Sequence, residues 1–174
     1  MRKLRTIEMK RLTAEEYRQA EKVPLVVVLD DVRSMHNVGS VLRTADAFRL
    51  EGVWMCGITG TPPHAEIHKT ALGAEDSVDW RYCTTALEAV KKLKEEGVEV
   101  LAVEQAEGST MLQDFSRDPS RRYAIVLGNE VKGVHQEVID QCDGCLEIPQ
   151  NGTKHSMNVS VAAGIVIYHF VWGQ

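Results

Sequence analysis

Apolar residues along this chain gather in short unbroken runs, separated by stretches in which they recur every three or four positions. PLVVVLDD (24–31) is β-branched, continuous and closed by charge, the pattern of a strand buried on both faces of a parallel sheet. GVWMCG (52–57), VEVLAV (98–103), YAIVLG (123–128) and GCLEI (144–148) share that character. Between them, helical spacing predicts helices over 38–50, 65–74, 85–96 and 133–141. Strands alternating with helices predict an α/β fold, a mostly parallel sheet flanked by helices. GTPPH (60–64) and SRDPSRR (116–122) read as loops from their prolines and polar content. Ligands in such sheets collect beyond the C-terminal strand ends, which selects the loops after Asp30, Val103, Leu127 and Ile148.

The last apolar stretch, 159–172, has two faces. Val159, Ala163, Val166, Ile167 and Phe170 make one; Val161, Ile165, Tyr168 and Trp172 make much of the other. A helix apolar nearly all round must be covered on both sides, and a partner subunit is the natural second cover. The stretch is shorter than the roughly 20 residues that span a bilayer, so no membrane association is expected. Its polar start, Lys154-His155-Ser156-Met157-Asn158, supplies free N–H groups and side-chain hydrogen bonds, which suits a polar or anionic ligand.

Composition adds little to this frame. The 174 residues, 44% of them apolar, suffice for one domain with a real core. MRKLRTIEMKRL has charge but no apolar leader core, so a secretory signal is not expected and the protein reads as cytoplasmic. The net charge of −5 is uneven: residues 1–22 hold seven Lys/Arg against four Glu. A basic arm, 1–23, helical in pattern, therefore precedes a domain over 24–174, and a basic arm can touch a phosphate backbone. Of four cysteines, only Cys142 and Cys145 are close. No second pair at zinc spacing accompanies them, so they read as structural thiols, and no metal is expected.

Three stretches carry chemistry. In DDVRSMHNVGSVLRTADAF (30–48), Val38, Val41, Leu42, Ala45 and Phe48 form one helix face and Arg43 points away from it. Asn37 is placed to cap that helix, and Gly39 admits a close neighbour. In YAIVLGNEVKGV (123–134) a strand ends at Gly128, where a ligand could approach the backbone, and meets the turn 129–133. Neither a Walker A loop nor a GxGxxG fingerprint occurs. The third stretch is LEIPQNGTKHSMNVSVAAGIVIYHF (146–170).

In order and spacing, HNVGSVLRTADAF, IVLGNEVKGV and IPQNGTKHSMNVSVAAGIVIYH resemble the three motifs of the SpoU-type RNA 2′-O-ribose methyltransferases, the TrmH-like branch of the SPOUT superfamily. The resemblance covers roughly residues 24–171. It implies a parallel sheet closed by a C-terminal deep trefoil knot, although topology rules disfavour knots. It also implies S-adenosylmethionine (AdoMet) as methyl donor, S-adenosylhomocysteine as product, and a homodimer with active sites at the subunit interface. By position, the donor pocket is expected from Ala102, Val103, Glu104, Leu127, Gly128, Ile148, Pro149, Ser156, Met157 and Asn158. Two departures stand out: relatives often add an N-terminal RNA-binding domain, and Met157 replaces a common Leu.

The implied reaction methylates a ribose 2′-hydroxyl in tRNA or rRNA, tRNA ahead. Arg43 is the residue the resemblance assigns to that hydroxyl. A guanidinium is a poor base, so Arg43 reads as a clamp on the adjacent RNA phosphate, with Asn37, Glu130, Ser156 and Asn158 holding the geometry. Two rivals are a SPOUT enzyme that methylates a base nitrogen and a non-catalytic RNA-binding module. The N-x-G-x-x-x-R first motif favours ribose over base, and the full set of motif residues favours turnover.

Overall fold

The computed structural model describes residues 1–173. A 3-10 turn, Thr6–Met9, and α1 (Ala14–Gln19) lead into β1 (Val23–Asp30), α2 (Met35–Ala47), β2 (Leu50–Cys56) and α3 (Ala65–Ala71). There follow β3 (Trp80–Cys83), α4 (Ala86–Glu95), β4 (Glu99–Val103), β5 (Thr110–Met111), β6 (Tyr123–Leu127), α5 (Gln136–Ile139), β7 (Gly144–Glu147) and α6 (Val159–Trp172). The seven strands form one sheet in the order β3-β2-β1-β6-β4-β7-β5, and every pairing is parallel.

The continuous apolar runs follow from a sheet covered on both faces. Along β1, Leu25, Val27 and Leu29 join a core with α2, α3 and α6, while Val26 and Val28 join a second core with α4 and α5. β6 divides in the same way: Tyr123, Ile125 and Leu127 to the first, Ala124 and Val126 to the second. Alternation of period two is thus present but invisible, because both faces are apolar.

β3 and β5 are absent from the sequence-based expectation. Both are edges, and Arg81 and Tyr82 of β3 are exposed, so neither carries a buried run. Leu50, expected to end a helix, opens β2. The helix expected over 133–141 shrinks to α5 because Gly133, at φ 70°, closes a hairpin instead. α2 begins at Met35 and is capped by Ser34, whose Oγ accepts from the Asn37 N–H at 3.3 Å. Asn37 is therefore not the cap but a residue of the first turn.

α2 rests directly on α3. A Cβ on Gly39 would lie 2.1 Å from Thr70 Oγ1 and 2.3 Å from the Ile67 carbonyl oxygen, so only glycine permits this approach. α6 buries Val159, Ala163, Val166, Ile167 and Phe170, the face expected from its spacing. Each of these side chains except Ala163 contributes about 1.5–3 kcal/mol. The opposite residues stay exposed: Val161 by 53%, Ile165 by 39%, Tyr168 by 59% and Trp172 by 67%. Among the described residues no helix is long and apolar enough to cross a membrane, and all four cysteines are free.

The arm is rooted by Tyr17 of α1, which is 5% exposed and part of the first core. Its hydroxyl has no hydrogen-bond partner among the described residues, and burial raises its pKa. Tyr17→Phe is therefore expected to leave stability equal or higher, whereas Tyr17→Ala should cost about 3 kcal/mol. Urea unfolding of both variants checks the pair; a clear loss in Tyr17→Phe would show that the hydroxyl is bonded.

Candidate active site

A cavity of about 880 Å³ opens beyond the C-terminal ends of β6, β4 and β7, three neighbours in the sheet. Its walls come from three loops: Val103 to Glu107 after β4, Gly128 to Val134 after β6, and Ile148, Gln150 and His155 to Met157 after β7. Val159 and Ala162 of α6 and Ile139 of α5 complete them. Three of the four loops selected by the strand-end rule thus meet at one place.

The loop after β6 is a hairpin. Asn129 and Gly133 exchange backbone hydrogen bonds of 3.0 and 2.9 Å, and Asn129 Oδ1 accepts from the N–H groups of Val131 and Lys132. It folds back so closely that a Cβ on Gly128 would lie 2.0 Å from the Gly133 carbonyl carbon. Gly128 lines the cavity, but its missing side chain is required by the chain's own hairpin. A bulky residue there displaces the hairpin before it obstructs a ligand.

Carboxylates tie this hairpin to different elements. Glu130, at its tip, accepts from the N–H groups of Arg33 (3.0 Å) and Ser34 (2.9 Å) and from Asn37 Nδ2 (3.0 Å). Glu104 accepts from the N–H groups of Val134 (3.0 Å) and Gln105 (2.9 Å). Burial works to raise the Glu130 pKa, but the N–H groups of Arg33 and Ser34, with Asn37, hold it below the ordinary carboxylate value. A depressed folded pKa means that this grip is present above the ordinary value and lost only as pH falls through the lower one.

Asn37 and Asn158 join that network. Asn158 Nδ2 donates to Asn37 Oδ1 at 3.1 Å, and Asn158 Oδ1 caps α6 by accepting from the Ser160 N–H at 2.9 Å. A continuous path runs Glu130, Asn37, Asn158, and so ties all three sequence motifs together at the cavity. The loop before α6 is also held by Gln105, whose Nε2 donates to the His155 carbonyl at 2.6 Å.

Of the expected pocket residues, Val103, Glu104, Leu127, Gly128, Ile148, Ser156 and Met157 line the cavity. Ala102 is fully buried inside β4, and Pro149 and Asn158 stay outside the lining. Arg43 lies six residues beyond Asn37 on α2, exposed and without an ion-pair partner among the described residues. It does not line this cavity. Glu107, Lys132 and Asp140 do; Lys132 stood inside a quoted motif, whereas nothing in the sequence marked Glu107 or Asp140. The fold also gathers Asp30, Asp31 and His135, with ligand-type atoms within 4.8 Å of one another, a group that sequence spacing hid.

A sequence profile of the SpoU rRNA Methylase family matches residues 24–168. A Staphylococcus haemolyticus protein assigned to the TrmH family of tRNA/rRNA methyltransferases is 34% identical over 154 residues, 88% of this chain and 61% of that protein. The 23S rRNA (guanosine-2′-O-)-methyltransferase RlmB of Neisseria meningitidis is 33% identical over 144 residues, 83% of this chain and 56% of its own length. The chain thus spans about three fifths of the curated relatives it matches. The AdoMet-bound rRNA methyltransferase of Sinorhizobium meliloti has the same fold, with a TM-score of 0.77 at 27% identity, over 88% of this chain and 59% of that one.

The Gly128 contact generates a direct expectation. Gly128→Ala should cost about 2–3 kcal/mol through overpacking against Gly133, with NMR shift changes concentrated in residues 128–135. An unchanged unfolding midpoint would show that the hairpin yields freely.

Proposed function

Because this chain belongs to the SpoU rRNA Methylase family, we propose that it transfers a methyl group from AdoMet to a ribose 2′-hydroxyl of tRNA or rRNA in the cytoplasm. The observation that carries this reading is the cavity itself: loops of the second and third motifs line it, and Asn37 of the first is hydrogen-bonded to both.

The donor set fits the cofactor. Leu127, Ile148, Met157 and Val159 offer apolar walls for a purine, and Glu104, Glu107, Glu130 and Asp140 outnumber Lys132 and His155 in the lining. An acidic cavity suits a ligand that carries a sulfonium and an ammonium. AdoMet, when bound, supplies an electrophilic methyl group. This chain's residues then bind the donor, orient the ribose and shape the mouth. Glu130, Asn37 and Asn158 hold the loops in register, and Ser156 offers a hydroxyl inside the cavity.

Arg43 enters from a second copy in this reading. The uncovered face of α6 carries Val161, Ile165, Tyr168 and Trp172. Tyr168 meets Phe48 edge-on, with centroids 6.3 Å apart, so the end of α2 borders that face. Pairing two such faces forms the homodimer and brings Arg43 of one copy toward the cavity of the other. There the guanidinium clamps the phosphate beside the target ribose, and the hydroxyl proton leaves to that phosphate or to water. In this reading the C-terminal segment that ends in α6 threads through a loop to form the family's trefoil knot.

Arg43→Ala is expected to keep the dimer and to bind AdoMet within about twofold of wild type, while methyl transfer to total RNA falls by about 10²–10³-fold. Ile165→Glu should give monomers in sedimentation, since it places a charge in an apolar interface. Nuclease mapping of the labelled product decides the acceptor. Methyl on a base nitrogen, or full activity in Arg43→Ala, would overturn the ribose reading.

A further inference from the structure

The 129–133 hairpin ends one residue short of a feature that the motifs do not explain. Asp30, at the end of β1, is only 3% exposed. Its Oδ2 accepts from the His135 backbone N–H at 3.0 Å and lies 2.9 Å from His135 Nδ1. The other ring nitrogen, Nε2, faces Asp31 Oδ2 at 3.7 Å. Asp31 is itself fixed, its Oδ1 accepting from the Ile58 N–H at 2.9 Å and its carbonyl from Asn129 Nδ2 at 2.8 Å. Two consecutive aspartates therefore hold Asn129, where the hairpin begins, and His135, two residues past its close.

We infer that His135, as an imidazolium between Asp30 and Asp31, is the positioning residue that keeps this hairpin in its cofactor-binding shape, so that affinity falls when the ring loses its proton. The inference rests on the AdoMet reading of the cavity, because Gly128, Asn129, Glu130, Lys132, Gly133 and Val134 line it. An imidazolium donates an N–H to Asp30 and turns its second N–H and its charge toward Asp31, at ion-pair distance; a neutral ring that still donates to Asp30 turns a lone pair toward Asp31 instead. Loss of the proton also leaves the buried Asp30 without a counter-charge.

The hydrogen bond to Asp30, and the charges of Asp30, Asp31 and Glu137 of α5, raise the His135 pKa above the ordinary imidazole value against a smaller effect of burial. A raised folded pKa fixes the sign: the clamp is complete below the ordinary value and is lost as pH rises through the raised one. By reciprocity, a ligand that prefers the clamped hairpin must raise the His135 pKa further.

Two measurements test this on the whole protein. The first is an NMR titration of the His135 ring with and without AdoMet. Expected are a raised pKa in the free protein and a further rise with AdoMet; an ordinary value, or no change on binding, overturns the clamp. The second is calorimetric AdoMet affinity from mildly acidic to mildly alkaline pH, for wild type and for His135→Asn, whose amide still donates to Asp30. The ligand's own amine titrates in both, so only the difference counts. Wild-type affinity should fall about fivefold or more beyond any fall in the variant, and parallel profiles would overturn the proposal. Asp31→Asn, which leaves the buried Asp30 pair intact, should move the loss to lower pH; an unmoved profile counts against the clamp. Absence of AdoMet binding at every pH would instead remove the cofactor reading, while the ring titration of the free protein still reports on the clamp.

Discussion

Three donors from one segment, the N–H groups of Arg33 and Ser34 and the amide of Asn37, converge on the carboxylate of Glu130. The shape of the cavity depends on that acceptor staying ionised. Glu130 belongs to a hairpin with little apolar surface of its own, and Val131 at its tip is 82% exposed. A loop of this kind gains its order from directional bonds to rigid elements rather than from burial. Glu130 ties it to the start of α2, Glu104 to the end of β4, and Asp30 to the end of β1. The sheet supplies fixed points, and the carboxylates transmit them to the site.

The sheet in turn owes its rigidity to two cores. β1 and β6 lie at its centre with side chains in both, so neither can slide without disturbing helices on both faces. α6 packs on one of these cores through five buried residues, and Phe170 meets the rings of Tyr123 and Phe115 at centroid distances of 5.4 and 5.3 Å. Its first turn is thereby held where Asn158 can reach Asn37. Burial along the helix and polarity at its start are parts of one arrangement: the apolar face fixes the axis, and the axis aims the cap.

Much of this was legible in the sequence because it rests on local pattern. Five strands, the buried face of α6 and the convergence of three loops follow from apolar runs and from the strand-end rule. Edge strands β3 and β5 escaped because a strand paired on one side needs no buried run. The cap of α2 escaped because Ser34 and Asn37 are both good capping residues, and only the demand of Glu130 for a donor decides between them. His135 pairs with Asp30 across 105 positions, Asn158 with Asn37 across 121, and no periodicity encodes such partners. Of the ten pocket residues expected, seven line the cavity, five of them within the motifs, whereas Glu107 and Asp140 reach it only because the chain after β4 and the end of α5 are folded toward it.

The contact of Gly39 with α3 constrains what variation the chain can accept. A methyl group at position 39 would press on Thr70 and on the Ile67 carbonyl, so even alanine requires the two helices to part. Parting them would shift α2, and with it Asn37 and the donors that Glu130 needs. Drift at 39 is therefore tied to drift at 67 and 70, although α3 contributes nothing to the cavity lining. Among variants of this chain, the spacing of α2 and α3 should be inherited as a unit with the site, for mechanical rather than chemical reasons.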